Sequence, residues 1–308
     1  MKGLDLSFEF YTRYGLPMLT EQFFDCIEDI AVGLVGHGSE CYGYDDVIST
    51  DHDFEPSFCI WLTEEDEKKF GFKLMRAYSK LPKEFNGIKC NSKSLLGSNY
   101  RGVMTIDEFY KSYTGRSGAP ETWQDWLYTP SHYFAEATNG RIFADPKGEF
   151  TRIREKILLG MPNDVKLKKI ASYAFGMAQS GQYNYSRCVK HSEYGAARLA
   201  LNQFATDCAN LVFVLEGKYA PYYKWLFRSM KELPRYAFLS YKLEHLLSMP
   251  TDSVGQIADK IEEISYDVIK ALKEQDLSSV NGDYLEPHAF SANERIKDGQ
   301  IRNLPIML

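Results

Sequence analysis

The feature that most constrains the fold is an apolar repeat of helical period in the second half of the chain. Over residues 197–215, apolar residues recur every three or four positions for about five turns, as in a helix buried along one face. Shorter series with this period run over 167–178 and 257–272, and Gly217 suits the C-cap of the long helix. Residues 156–308 are therefore predicted to form an α-helical bundle, with a loosely attached tail after Leu277.

The first half, residues 1–155, alternates between helical and strand patterns. The β-branched run before Gly36 stops at a glycine turn, and Thr63 followed by acids is typical of a helix N-terminus. In chain order, the patterns predict a helix at 16–30, strands at 30–35 and 53–62, a helix after Thr63, and short strands at 88–90, 102–106 and 141–143. The chain is thus predicted to be an α+β protein, with a small mixed sheet and flanking helices before a boundary near residues 149–162.

Composition narrows the classes of function. Of 308 residues, 44% are hydrophobic and 25% charged, which is typical of a globular protein, and a net charge of −6 argues against extended DNA binding. The six cysteines form no C-x-x-C pair and no zinc-finger spacing, so reduced thiols in a cytoplasmic protein are expected. The first 14 residues lack a signal-peptide pattern and no long apolar run occurs, so no membrane association is expected.

One stretch carries a pattern suited to phosphate chemistry. Gly38 and Ser39 follow a predicted strand, where a residue without a Cβ lets backbone N–H groups approach phosphate oxygens. Asp51 and Asp53 alternate at the start of the next strand, so their carboxylates are expected on one face of the sheet. Two carboxylates in this arrangement can hold two Mg²⁺ ions, which would clamp the attacking and leaving oxygens of a displacement at phosphorus.

These residues resemble a known superfamily. The pattern G-S-x-x-x-G at Gly38, Ser39 and Gly43, followed by S-x-D-x-D ending at Asp51 and Asp53, resembles the DNA polymerase beta-like nucleotidyltransferases. Longer strings are similar to a bacterial family of unknown function with a nucleotidyltransferase-like head and a helical tail, and the likeness covers roughly residues 20–235. The strings are GSECYGYDD, STDHD, WLYTPSHYFAEATNGRIFADPKGEF and KYAPYYKWL.

The resemblance implies transfer of a nucleoside monophosphate, most simply AMP from ATP, to an acceptor hydroxyl. It implies Gly38 and Ser39 at the triphosphate, with Asp51 and Asp53 as catalytic ligands of two Mg²⁺ ions. The superfamily also has a third carboxylate on a neighbouring strand. The natural strand here, residues 102–106, holds no acid; Asp107 lies just beyond it and Asp145 is the rival candidate.

The second half offers further candidates for binding nucleotide. Arg187, His191, Tyr194 and Arg198 fall at helical spacing on one predicted helix, and form either a basic wall facing a triphosphate or a solvated helix face. Lys224 is preferred over Lys218 as a nucleotide contact, because Lys218 sits beside a helix C-terminus where a dipole role is available.

Two alternative functions stay open. The absent third acid favours a nucleotide-binding regulatory or antitoxin-like module with weak or no transferase activity. A divalent-metal hydrolase using the same carboxylates is a third hypothesis. The sequence does not identify the acceptor or the selected base, because variable loops form such pockets, and the oligomeric state, including a homodimer, is also left open.

Overall fold

A computed structural model of the chain describes residues 1–46, 55–90 and 101–308. The chain divides into two compact units. Unit 1 contains Met1–Asp125 and Tyr133–Gly160, and unit 2 contains Trp126–His132 and Met161–Leu308. Strands lie only in unit 1 among the described residues, and unit 2 is helical, so the predicted α+β class is confirmed.

Unit 1 begins with helices and then alternates strands with helices. Its first helical run is continuous from Gly3 to Gln22. The elements, in chain order, are α1 (Gly3–Phe10), a π-helical turn (Tyr11–Gly15), α2 (Leu16–Gln22), a 3-10 helix (Phe24–Asp29), β1 (Ala31–Leu34), a 3-10 turn (Glu40–Tyr42), β2 (Cys59–Leu62), α3 (Glu64–Asp66), a π-helical turn (Glu67–Gly71), α4 (Phe72–Tyr78), β3 (Glu84–Phe85), β4 (Ile88–Lys89), β5 (Gly102–Thr105), α5 (Ile106–Thr114), α6 (Trp123–Tyr128), α7 (Ser131–Thr138), β6 (Arg141–Ala144) and α8 (Glu149–Leu159); α6 and α7 each contain residues of both units.

Most sequence-based elements of unit 1 are confirmed. The strand before Gly36 and the three short strands are present, and the Thr63 hydroxyl accepts the Asp66 N–H as the expected N-cap. Two expectations need correction. The helix predicted over 16–30 begins much earlier and gives way to a 3-10 helix after Gln22. Within the described part of the strand predicted over 53–62, residues 55–58 are not in a strand and β2 begins at Cys59.

A four-stranded sheet with the order β5-β2-β1-β6 forms the centre of unit 1. Strand β1 is antiparallel to both β2 and β6, whereas β2 and β5 are parallel. Ile60 and Val32 pack against the N-terminal helices on one face. On the other face, Trp61 stacks on Phe150 of α8 with ring centroids 4.0 Å apart and meets Phe109 of α5 edge-on. The sheet is therefore the middle of three layers, with one strand running against the other three.

Unit 2 is a bundle of helices around one large apolar core. Its longest helix ends as predicted: Gly217 has φ +67°, and the N–H groups of Gly217 and Lys218 bond back to the carbonyls of Val214 and Phe213. Beyond the shared helices, its elements are α9 (Asn163–Met177), a π-helical segment (Ala178–Tyr185), α10 (Ser186–Lys190), α11 (Tyr194–Leu215), α12 (Tyr223–Met230), α13 (Ala237–Ser248), α14 (Val254–Glu274), α15 (Leu285–Glu294) and α16 (Gly299–Arg302).

The loose tail expected after Leu277 is wrong. Helix α15 packs on α9, and Leu285, Ala289 and Ala292 are fully buried in the bundle core. The buried Lys168 ammonium donates to Asn293 Oδ1 at 3.0 Å and to the Leu304 carbonyl at 2.8 Å. Polar composition is misleading here, because a small number of well-spaced apolar residues is enough to fix a short helix against a large core.

Two expectations drawn from composition can be compared with the structure. All six cysteines are free thiols, and four of them, Cys41, Cys59, Cys90 and Cys208, are buried. Among the described residues, no helix is long and apolar enough to cross a bilayer.

Candidate functional site

The glycine-serine turn follows β1 directly. Gly36 and Gly38 have φ values of +113° and +115°, which L side chains rarely adopt, and a single 3-10 turn over Glu40–Tyr42 comes next. Ser39 occupies the N-cap position of that turn, half-buried, and its hydroxyl makes no capping bond within the described backbone. The serine therefore begins a 3-10 turn and not an α-helix, and the N–H groups from Cys41 to Tyr44 donate back to carbonyls of the turn.

Hydrogen bonds fix this turn from several sides. The Asn139 amide bonds both the N–H and the carbonyl of Gly36 at 2.8 Å, and the Gly140 N–H donates to the Cys41 carbonyl at 2.8 Å. At the far end of the turn, the buried Asp45 carboxylate accepts the N–H of Gly3, the first residue of α1, at 2.9 Å. The turn is thus held in place by hydrogen bonds from Asn139 and Gly140 and, at its far end, from α1.

A buried ion pair lies against Gly38. Glu40 is 5% exposed and pairs with Arg101, which precedes β5 and also donates to the His37 carbonyl at 3.0 Å. Burial raises the pKa of Glu40, and the adjacent Arg101 guanidinium offsets part of that effect. A Cβ on Gly38 would lie 2.5 Å from both carboxylate oxygens of Glu40. Glycine at this position is therefore required by two constraints, its φ value and the carboxylate.

Replacing Gly38 by alanine is expected to destabilise the protein by about 2 kcal/mol, because a strained backbone and a clash with an anchored carboxylate combine. Gly43 is the matched control, since its φ is +69° but nothing lies within 4 Å of the position that a Cβ would take; Gly43→Ala is expected to cost about 1 kcal/mol. Urea unfolding midpoints of both variants measure the difference. Equal losses at the two positions would contradict the constraint assigned to Glu40.

The two sequence candidates for a third acid lie at the other end of the sheet. Asp107 follows β5 and Asp145 follows β6, and both strands run opposite to β1. The turn with Gly38 follows the C-terminal end of β1, whereas Ala144 pairs with Val32 near its beginning. Four strand residues span about 13 Å, so these acids are too far from Gly38 to share one metal site with it. The assignment of Asp107 or Asp145 to that site is therefore corrected by strand direction.

Local contacts give both acids structural roles instead. Asp145 Oδ2 accepts the Thr151 N–H at 2.7 Å in the first turn of α8, and Asp107 lies in the first turn of α5, where a negative charge favours the helix dipole. Asp145 also lines a cavity of about 350 Å³ at this end of the sheet together with Trp61, Thr63 and Asp66. The acids stabilise helices that begin where the strands end.

The basic wall expected on one long helix is not formed. The chain leaves the helical conformation between Lys190 and Tyr194, where Ser192 has φ +60°, so Arg187 lies on α10 and Arg198 on α11. Arg187 lies 4.9 Å from the centre of the Tyr183 ring, and Arg198 donates to the Met249 carbonyl at 3.0 Å. The helical spacing of these residues is broken, and each arginine has a partner within unit 2.

Lys224 lies in the first turn of α12, within the KYAPYYKWL string. It is exposed, and its ammonium lies 5.1 Å from the centre of the Trp225 ring. Its role as a nucleotide contact stays a prediction.

The two aspartates of the proposed metal site, Asp51 and Asp53, lie in residues 47–54, outside the described residues. The chain on both sides of this segment is described. Before the segment, Asp46 follows the glycine-serine turn closely. After it, residues 55–58 lead into Cys59, which pairs with Gly33 near the C-terminal end of β1. Residues 55–58 therefore approach β2 from the end of the sheet at which Gly38 follows β1. In the described part of the chain, no group of three His, Cys, Asp or Glu residues has the arrangement of a metal site.

Sequence reasoning missed the residues that build this turn. Glu40, Arg101, Asn139 and Glu136 come from three separate parts of the chain, and His37 Nδ1 lies 2.8 Å from Glu136 Oε2. Glu40 stands inside the string GSECYGYDD, so its position next to serine is a usable signal. Arg101 and Asn139 carry no local pattern, because their roles depend on long-range pairing of strands.

Comparisons with known proteins give one match. Residues 126–226, about a third of the chain, match a family described as a domain of unknown function (DUF4037). The matched segment takes residues from both units, since 133–160 belong to unit 1 and the remainder to unit 2. Neither a curated protein nor a solved structure matches the chain. The likeness to a family of unknown function is thus supported over this segment.

Proposed function

We propose that the protein is a Mg²⁺-dependent nucleotidyltransferase whose site is built at the Gly38 end of β1. The observation that carries the proposal is strand direction. Because β1 and β2 are antiparallel neighbours, the glycine-serine turn after β1 and the chain leading into β2 from Glu55 lie at the same end of the sheet. This is the relation that a phosphate-binding turn and a following D-x-D pair need in order to act on one triphosphate.

In this proposal the glycine-serine turn binds phosphate and the two aspartates bind metal. The backbone N–H groups of Gly38 and Ser39, which are not donors to the backbone in the described part of the chain, and the Ser39 hydroxyl hold oxygens of the triphosphate. Asp51 and Asp53 provide hard oxygen ligands of the kind that Mg²⁺ prefers, and bound Mg²⁺ would stabilise charge on the phosphoryl oxygens. The acceptor hydroxyl oxygen forms a bond to the α-phosphorus, pyrophosphate leaves, and the hydroxyl proton passes to a base or to solvent.

The residues of β5 support a second candidate function, a regulatory module that binds nucleotide. This strand pairs in parallel with β2, in the position where the superfamily carries its third acid, yet Gly102–Thr105 contains none and Arg101 precedes it. Arg101 places a positive charge beside Glu40 in that region. This favours the alternative of a regulatory module that binds nucleotide without transferring it.

Titration calorimetry with ATP, GTP, CTP and UTP, each with and without Mg²⁺, tests the proposal. Asp51→Asn and Asp53→Asn are expected to weaken Mg²⁺-dependent binding at least tenfold, because a carboxylate ligand is lost. Asp107→Asn and Asp145→Asn are matched controls at the opposite end of the sheet and are expected to leave binding unchanged.

An assay of pyrophosphate release separates the two candidate functions. Pyrophosphate release by the wild type, in a screen of hydroxyl-bearing acceptors, supports a transferase, whereas nucleotide binding without release supports the regulatory module. Equal nucleotide affinity in all four variants and the wild type would remove both.

A further inference from the structure

Two stretches of the chain combine aromatic residues with an absence of acids. Neither residues 126–135 nor residues 217–231 contain Asp or Glu, although acidic residues outnumber Lys and Arg by 42 to 36 in the whole chain. The second stretch holds four cations and five aromatic residues: Lys218, Lys224, Arg228 and Lys231, with Tyr219, Tyr222, Tyr223, Trp225 and Phe227. Such stretches give an acidic protein a local region of positive charge.

The two stretches meet within unit 2, to which Trp126–His132 belongs together with the second stretch. The Ala220 N–H donates to the Ser131 hydroxyl at 2.8 Å. The rings of His132 and Tyr222 have centroids 5.7 Å apart. The two stretches are therefore neighbours in space, although about 90 residues separate them in the chain.

The first stretch is anchored to the core of unit 2. Lys169 of α9 is 7% exposed, and its ammonium donates to the Leu127 carbonyl at 2.8 Å. Ser131, four residues further on, carries the bond from the second stretch. These bonds hold the backbone on both sides of the contact between the stretches.

Tyr222 and Tyr223 continue the row of rings that begins at His132. The centroids of the two tyrosine rings are 4.4 Å apart, and the residues are 45% and 72% exposed. Single exposed aromatic residues are common on proteins. Adjoining exposed rings instead form a continuous aromatic surface on which flat groups can stack.

Two lysines add positive charge to this row. Lys218 and Lys224 are exposed, and among the described residues neither forms an ion pair with a carboxylate. Their charges are therefore available to an anionic ligand. Together these residues form a tyrosine-lysine surface, consisting of His132, Lys218, Tyr222, Tyr223 and Lys224.

The chemistry of this surface selects the ligand. Ammonium groups attract phosphates, and aromatic rings stack on nucleobases, whose faces are open in a single strand and covered in a duplex. Tyrosine hydroxyls can donate and accept hydrogen bonds, which suits the 2′-hydroxyl of ribose. We propose that the tyrosine-lysine surface binds a short stretch of single-stranded RNA, with bases stacked on Tyr222 and Tyr223 and phosphates held by Lys218 and Lys224.

Fluorescence anisotropy of a labelled RNA tests the proposal on the full chain, without Mg²⁺ or nucleoside triphosphate. The probe is a CA-repeat RNA of about twelve nucleotides, whose bases do not pair with one another. At about 0.1 M salt, this strand is expected to bind about tenfold more tightly than the same strand annealed to its complement, because pairing hides the base faces.

Variants separate the contribution of the rings from that of the charges. Tyr223→Ala is expected to weaken RNA binding about tenfold, whereas Tyr223→Phe keeps the stacking ring and most of the affinity. Lys224→Met is expected to lower the slope of log Kd against log salt concentration by about 0.7, the value for one phosphate contact with a single strand. Tyr266→Ala and Lys270→Met remove an exposed tyrosine and an exposed lysine of α14, and are expected to bind RNA like the wild type.

Several results would overturn the proposal. One is unchanged anisotropy with about 0.1 mM wild-type protein that circular dichroism shows to be folded. Equal affinity of Tyr223→Ala and the wild type, or of strand and duplex, would indicate a site for polyanions without base contacts. Tighter binding of the DNA strand of the same sequence would overturn the choice of RNA, and displacement of the RNA by polyglutamate would indicate an acidic protein segment as the ligand. These titrations contain no triphosphate, so either this proposal or the transferase proposal can fail while the other stands.

Discussion

Replacing Arg101 by methionine is expected to lower the free energy of unfolding by about 3–5 kcal/mol, the usual cost of removing one partner of a buried ion pair. Glu40 is left without its cation in a site where burial already raises the pKa of the carboxyl group. The His37 carbonyl also loses the guanidinium donor. Urea unfolding at pH 7 measures the loss.

A double-mutant cycle assigns the loss to the pair. Glu40→Gln in the Arg101→Met background is expected to recover a large part of the stability, because the unpaired charge is gone. Arg152→Met is the control, since Arg152 and Glu149 form an exposed pair expected to contribute less than about 1 kcal/mol. A loss in Arg101→Met similar to that in Arg152→Met would show that the buried pair does not hold the turn.

Lys169→Met is expected to stabilise the protein by about 2 kcal/mol at pH 7. The folded protein holds this ammonium with a pKa of about 8, against 10.5 in the unfolded chain, which corresponds to about 3 kcal/mol of unfavourable free energy. Methionine fills similar volume, and the Leu127 carbonyl left without its donor offsets about 1 kcal/mol of the gain.

The pH dependence of the free energy of unfolding tests the lowered pKa of Lys169. Between pH 8 and 10.5 the unfolded chain binds the Lys169 proton and the folded protein does not, so wild-type stability from this group rises with pH by about 3 kcal/mol. Below pH 8 both states are protonated and the contribution is flat. Lys169→Met is expected to lack the rise, whereas Lys270→Met keeps it. Parallel pH profiles of the wild type and Lys169→Met would contradict the assignment.

The sequence predicts elements best where local chemistry decides them. The strand before Gly36 is an uninterrupted apolar run, Thr63 is followed by acidic residues, and Gly217 ends a strongly periodic helix. The strand, the N-cap and the C-cap that these patterns predict are all present. The break between Lys190 and Tyr194 escapes such prediction because it contains neither glycine nor proline. There the turn depends on a left-handed Ser192, and the N–H groups of Ser192 and Glu193 bond back to the carbonyls of Val189 and Cys188.

The candidate site shows where local patterns fail. Asp107 and Asp145 are the acids that follow β5 and β6 most closely. Strand direction decides which end of a sheet such a residue reaches, and direction follows from pairings far apart in the chain. Glu40 and Arg101 are 61 residues apart, and Gly36 and Asn139 are 103 apart. Neither pair leaves a periodic or spacing signal in the sequence.

The single reversed strand gives unit 1 two independent rims. The glycine turn of unit 1 and the acids at the start of α5 and α8 are separated by the full length of β1. The four residues of β1, Ala31–Leu34, include no charged side chain. A protein engineer can therefore change residues of the carboxylate-lined cavity around Trp61 and Asp66 without touching the hydrogen bonds that hold the glycine turn at the other end of β1.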